Sequence, residues 1–143
     1  MIRLATVSDL LQIAIMLKLM YEEVFADKAS SNLHDYVVEV MKVYADKNKY
    51  IFVDDELNGF FMVESAHSIL TPTIHRMEAT NIYIYPAKRH SKLLYHFYEK
   101  LFDTFPTSEI IGVTEANSEH IKVLDKRHKL VSKVYSIKRT HNG

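Results

Sequence analysis

The chain has 143 residues, 48% hydrophobic and 25% charged, the size and profile of one soluble globular domain spanning residues 1–143. Eighteen Lys and Arg balance eighteen Asp and Glu, so nothing general favours nucleic acid or an anionic membrane as a partner. There is no cysteine, which excludes disulfides, thiolate metal sites and cysteine nucleophiles and makes a cytoplasmic setting the expectation.

Ile2 to Thr6 is an apolar, β-branched run that reads as a first strand. Asp9 stands where it can cap the next helix, with Gln12 in the capping-box position. Leu10, Ile13, Leu17, Met20 and Val24 then recur at helical spacing, and Leu11, Ile15 and Leu19 add a second stripe. A helix apolar on two sides sits between packed surfaces or between a core and a partner subunit, so a homodimer is one reading. The stretch lacks a basic leader and a small-residue cleavage site, and Gln12 and Lys18 interrupt it. A buried helix is therefore expected, not a signal peptide or a membrane span.

Ser31 or Asn32 can cap a second helix, whose inner stripe is Leu33, Tyr36, Val37, Val40, Met41 and Tyr44. Tyr50 to Asp54 and Phe60 to Ser65 read as strands joined by a tight hairpin at Asn58-Gly59. Ala66 to His75 is expected to be a loop, and Arg76 to Tyr85 the longest strand, stopped by Pro86. Leu93, Leu94, Phe97, Leu101, Phe102 and Phe105 follow helical spacing. A short strand from Glu109 to Thr114, a helix from about Asn117 to Arg127 and, from Leu130 to Arg139, a final strand or a bent pair of strands complete the order. This pattern argues for an α+β fold of α/β type, a mostly antiparallel mixed sheet with helices on both faces and one parallel crossover between Arg76 and Thr114.

Several chemistries lack their motifs. No two histidines lie at i,i+4 on one helix, and no His-Glu-x-x-His occurs, so no metal site is expected. The Gly-x-Ser-x-Gly elbow of serine hydrolases and a Walker-type phosphate loop are also absent.

The element order, the opening Ile2-Arg3-Leu4-Ala5-Thr6-Val7-Ser8-Asp9, the hairpin at Asn58-Gly59 and the run Ile84-Tyr85-Pro86-Ala87-Lys88-Arg89 together resemble the GNAT superfamily of acyl-CoA-dependent N-acyltransferases. The likeness covers nearly the whole chain and implies six to seven strands, with the fourth and fifth splayed apart. It implies that acetyl-CoA is the co-substrate and that a small-molecule or protein amine accepts the acetyl group. Backbone groups of Tyr83, Ile84 and Tyr85 would pair with the pantetheine arm, amides of Arg89, His90, Ser91, Lys92, Leu93 and Leu94 would face the pyrophosphate, and Asn117 would approach the pantetheine from the other side. The family's loop glycines are replaced by Lys92 and Leu94, while Lys88, Arg89, His90 and Lys92 place up to four cationic groups at the anion site.

Leu124 stands where many members have the tyrosine that protonates the leaving thiolate, and Tyr135 or a water is the candidate to serve instead. Glu78 is the general-base candidate: its distance from Arg89 matches a catalytic Glu of some members, and period-two alternation puts it on one face with Thr80, Ile82 and Ile84. Glu64, His67 and His75 flank the loop that would meet the acceptor, and Glu22 and Glu23 end the first helix near the substrate pocket the family implies. The competing reading is a GNAT-fold binding or structural module, phage-encoded or accessory, that has lost the chemistry.

Overall fold

The computed structural model describes residues 1–67 and 75–112. Among them, five strands form one sheet in the order β1-β2-β3-β4-β5: β1 (Ile2–Leu4), β2 (Lys49–Asp54), β3 (Gly59–His67), β4 (His75–Ile84) and β5 (Glu109–Gly112). Neighbours are antiparallel except β4 and β5, which run parallel. The helices are α1 (Leu10–Val24), α2 (Leu33–Ala45) and α3 (Leu93–Thr104). The sixth and seventh strands and the helix expected after Asn117 fall outside the described residues. No described helix is long and apolar enough to cross a membrane.

Two cores sandwich the sheet. On one face α3 sends Leu94, Phe97, Tyr98 and Leu101 onto Phe52, Phe61, Val63, Met77 and Ala79. On the other, Ile13, Leu17 and Met20 of α1 and Tyr36 and Val40 of α2 meet Ile51, Val53, Phe60, Met62 and Tyr83. Alternate residues of β2 and β3 go to opposite cores, as the pleat requires. Phe102, expected on the inner stripe of α3, is exposed, and Tyr98 takes the buried position instead. The second stripe of α1 is only partly covered, with Leu11 exposed and Ile15 and Leu19 half-buried.

Local chemistry explains the element ends. Asn32 caps α2, its Oδ1 accepting the His34 amide at 3.0 Å. Ahead of α1, Asp9 accepts from the Thr6 amide at 2.8 Å and pairs with Arg3 at 2.6 Å, while Gln12 turns away to donate to the Tyr85 hydroxyl. In the β2–β3 connection the buried Asp54 carboxylate accepts the amides of Asn58 at 2.8 Å and Gly59 at 3.1 Å. Leu57, with φ 55°, takes the left-handed position that the Asn-Gly pair was expected to supply. Gly59 belongs to β3, and its role is close approach: a Cβ there would sit 2.6 Å from the Tyr83 carbonyl oxygen. Gly59→Ala should therefore cost about 1–3 kcal/mol, read as a lowered Tm. Ala66, His67 and His75 extend the two strands, where a loop was expected.

The Arg3 guanidinium, through its hydrogen bonds, holds the Asp9 carboxyl at about 2, below its ordinary 3.8 and against the upward pull of burial. A depressed folded-state value adds stability above the unfolded value, and that stability is lost as pH falls through the folded one. Acid unfolding of the chain should steepen between about pH 4 and pH 2, and Asp9→Asn should flatten that part of the Tm–pH profile.

Candidate functional site

The irregularity that shapes the site is a bulge in β4. Register runs from Gly59 opposite Ile84 to Met62 opposite Asn81, then jumps so that Val63 faces Ala79, leaving Thr80 as an extra residue. Met77 and Ala79 before the bulge and Ile82 and Ile84 after it all reach the α3 core. Glu78 therefore does not share a face with Ile82 and Ile84. It lies with Asn81 and Tyr83 on the α1–α2 face, directly opposite Glu64 of β3. Both carboxylates are half-buried and one same-face step from Met62 and Asn81.

A cleft of about 240 Å³ opens between α1, α2 and this patch of sheet. Buried Leu17, Tyr36 and Met62 line it together with half-buried Asn81, and exposed Asp35 and Glu39 bring negative charge to it. A larger groove of about 520 Å³ lies between the N-terminus and α3, where Asp54, Asp55, Glu56, Glu99 and Asp103 line it together with Met1, His96 and Lys100.

Beyond the bulge the outer edge of β4 pairs with no strand among the described residues. Among the described residues its parallel ladder with β5 spans Arg76–Ala79 and Glu109–Gly112. Tyr85 N–H donates inward to the Asn58 carbonyl at 2.9 Å. Successive strand residues turn their backbone groups to opposite edges, so Tyr83 also faces β3, whereas Ile82 and Ile84 face outward. Past Ala79 these outward groups meet no strand among the described residues.

Pro86 to Lys88 forms a single 3₁₀ turn, and the chain then winds into α3. The amides of Arg89, Ser91 and Leu93 are used within the loop, by the Pro86 carbonyl, the Lys88 carbonyl and the Ser91 hydroxyl. The alternate amides, those of His90, Lys92 and Leu94, have no partner among the described residues. They are the orphan donors of a helix start. Glycine is not needed here: Lys92 has φ −83°, and Leu94 buries its side chain in the α3 core, away from the loop. Lys88, His90 and Lys92 are exposed.

Arg89 is placed differently. Its guanidinium donates to both Glu23 carboxylate oxygens at 2.5 and 2.6 Å, its Nε donates to the Ile84 carbonyl at 2.9 Å, and Cζ lies 5.5 Å from the Tyr83 ring centre. Only 11% of the side chain is exposed. Burial pushes the Tyr83 phenol above its usual range, against the opposing pull of Arg89. Glu22 pairs with Lys18 on the α1 surface. His75 sits at the opposite end of β4, its ring nitrogens 2.7 Å from the Ser65 hydroxyl and 2.6 Å from the Ser108 hydroxyl. Among the described residues no group of three or more His, Asp or Glu could hold a metal. Asn117, Leu124 and Tyr135 lie outside the described residues.

No protein-family model matches the chain, and no curated protein matches its sequence. Solved structures do match. A ribosomal-protein-alanine N-acetyltransferase from Brucella melitensis biovar Abortus 2308 superposes with TM-score 0.74 at 16% identity, covering 98% of each chain. The aminoglycoside N-acetyltransferase AAC(6')-Iy, solved in complex with CoA, gives 0.73 at 12% identity, covering 97% of this chain and 93% of that one. A transcriptional regulator from Bacillus halodurans C-125 gives 0.71 at 17% identity, covering 98% of each. The chain shares the fold of these structures, in line with the architecture that the resemblance to the GNAT superfamily implies.

Proposed function

We propose that the chain is an N-acetyltransferase that moves an acetyl group from acetyl-CoA to a primary amine. The observation that carries this reading is the juxtaposition of a β4 edge that no described strand covers with the amides of His90, Lys92 and Leu94, which have no partner among the described residues. The diphosphate would take those amides, with Lys88 and Lys92 close by, as a helix start accepts an anion. The pantetheine arm would add to the outer edge at Ile82 and at the Ile84 amide, the Ile84 carbonyl being held by Arg89. This directs the thioester toward the bulge and Asn81. Asn117 would meet it from the other side.

The acceptor, a small-molecule or protein amine, would enter the cleft between α1 and α2. Its neutral nitrogen attacks the thioester carbonyl carbon, the C–S bond breaks, and the nitrogen's proton passes to Glu78 directly or through water. Tyr135 is the proposed proton donor to the departing thiolate. The assay is release of the CoA thiol over a panel of small amines and amine-bearing peptides. Release with at least one acceptor supports the reading.

A second reading, the GNAT-fold module without chemistry, is favoured by the commitment of Arg89 to Glu23 and by the fold's occurrence in a protein described as a transcriptional regulator. Cofactor binding with no transfer to any acceptor would select it. The homodimer reading is supported by exposed Leu4, Val7 and Leu11 at the start of the chain. Sedimentation that is unchanged between dilute and concentrated samples, at monomer mass, would remove it.

A further inference from the structure

We propose that Glu23 is a positioning residue for the cofactor loop, acting through Arg89. This inference rests on the acyl-CoA reading above. Residue 89 is 66 positions from residue 23, so their ion pair ties the last turn of α1 to the β4–α3 connection. Both carboxylate oxygens are used, and Nε of the same guanidinium takes the outward carbonyl of Ile84. The guanidinium plane is also held over Tyr83, which is wedged between Phe60 and Tyr85 with ring centres 6.4 and 5.6 Å away. A second tie, from Gln12 to the Tyr85 hydroxyl at 2.7 Å, fixes the same strand end to the first turn of α1. Helix α1 thus grips the strand on which the loop hangs from both of its ends.

A guanidinium fork matched to a carboxylate is a rigid, oriented contact, and its removal loosens the hold on a largely buried cation. Arg89 would then turn toward water, releasing the Ile84 carbonyl and the loop behind it. The amides of His90, Lys92 and Leu94 would lose the geometry that presents them together. A cofactor-binding effect arises here from a residue that touches no cofactor. An alternative role for Glu23, that of competing with the diphosphate for Arg89, predicts the opposite sign, because its removal would then tighten binding.

The test titrates CoA into the full chain and into Glu23→Gln and Glu23→Asp, and follows amide hydrogen exchange of residues 86–95 without ligand. Glu23→Gln should weaken CoA about tenfold and raise KM for acetyl-CoA similarly, with kcat within about twofold. Glu23→Asp, which keeps the charge, should recover part of the loss. Exchange should accelerate in residues 86–95 of Glu23→Gln and stay unchanged in β3 and α2. Unchanged or tighter CoA binding in Glu23→Gln overturns the proposal. If the unaltered chain itself binds no CoA, the acyl-CoA reading fails, and exchange decides the positioning role: faster exchange confined to the loop upholds it, and unchanged exchange overturns it.

Discussion

Glu78→Gln is expected to lower kcat for acetyl transfer by about 100-fold while leaving acetyl-CoA binding within about twofold of the unaltered chain. The separation of effects follows from the bulge at Thr80. Upstream of it Glu78 shares the α1–α2 face with Met62 and Asn81, which line the cleft proposed for the acceptor, whereas the loop amides and the outward groups of Ile82 and Ile84 lie downstream. The glutamine keeps the size of the side chain and removes only the ability to take a proton. Glu64 stands directly across the ladder and provides an internal control. Glu64→Gln should cost less than Glu78→Gln if the proton goes to Glu78, and the ranking reverses if Glu64 is the acceptor. A Glu78→Gln chain with undiminished kcat removes Glu78 from the mechanism.

Phe97→Ala is expected to cost about 3–5 kcal/mol of folding stability, measured by urea unfolding. Phe97 is fully buried at the centre of the α3 core, and its ring meets the edge of Phe61 at 5.5 Å and 89°. Tyr98 packs on the same Phe61 at 5.1 Å, so the aromatic cluster shares one β3 residue and cannot close over the void without moving α3. Small domains carry only about 5–15 kcal/mol in all, so the variant should be partly unfolded near 37 °C. Because α3 begins at the loop amides, loosening it should also weaken cofactor binding. A loss under about 1 kcal/mol would mean that α3 is not docked as described.

Much of the architecture was legible because burial imposes periodicity. The apolar spacing of α1 and α2 and the strand–Pro–helix–strand order from Arg76 onward each map to the observed element within a few residues. The β4 bulge was not read, although it leaves a trace: Met77 and Ala79 alternate in one phase, Ile82 and Ile84 in the other, and two consecutive polar residues, Thr80 and Asn81, mark the shift. Assuming unbroken alternation assigned Glu78 to the wrong face. Leu57 could not be anticipated, because the Asp54 carboxylate organises that turn from within the preceding strand. Nor could the Arg89–Glu23 pair, since two charges far apart in sequence leave no periodic signature. Where Lys92 and Leu94 replace the loop glycines, the backbone stays in ordinary conformations and Leu94 points into the core.

The account depends on the anion site at the start of α3, and calorimetric titration of the full chain with acetyl-CoA addresses it most directly. Saturable binding near one cofactor per chain, weakened when Lys88 and Lys92 are both changed to Ala and falling with added salt, is the predicted result. No measurable heat at millimolar cofactor, with the chain folded and CoA intact, would contradict it.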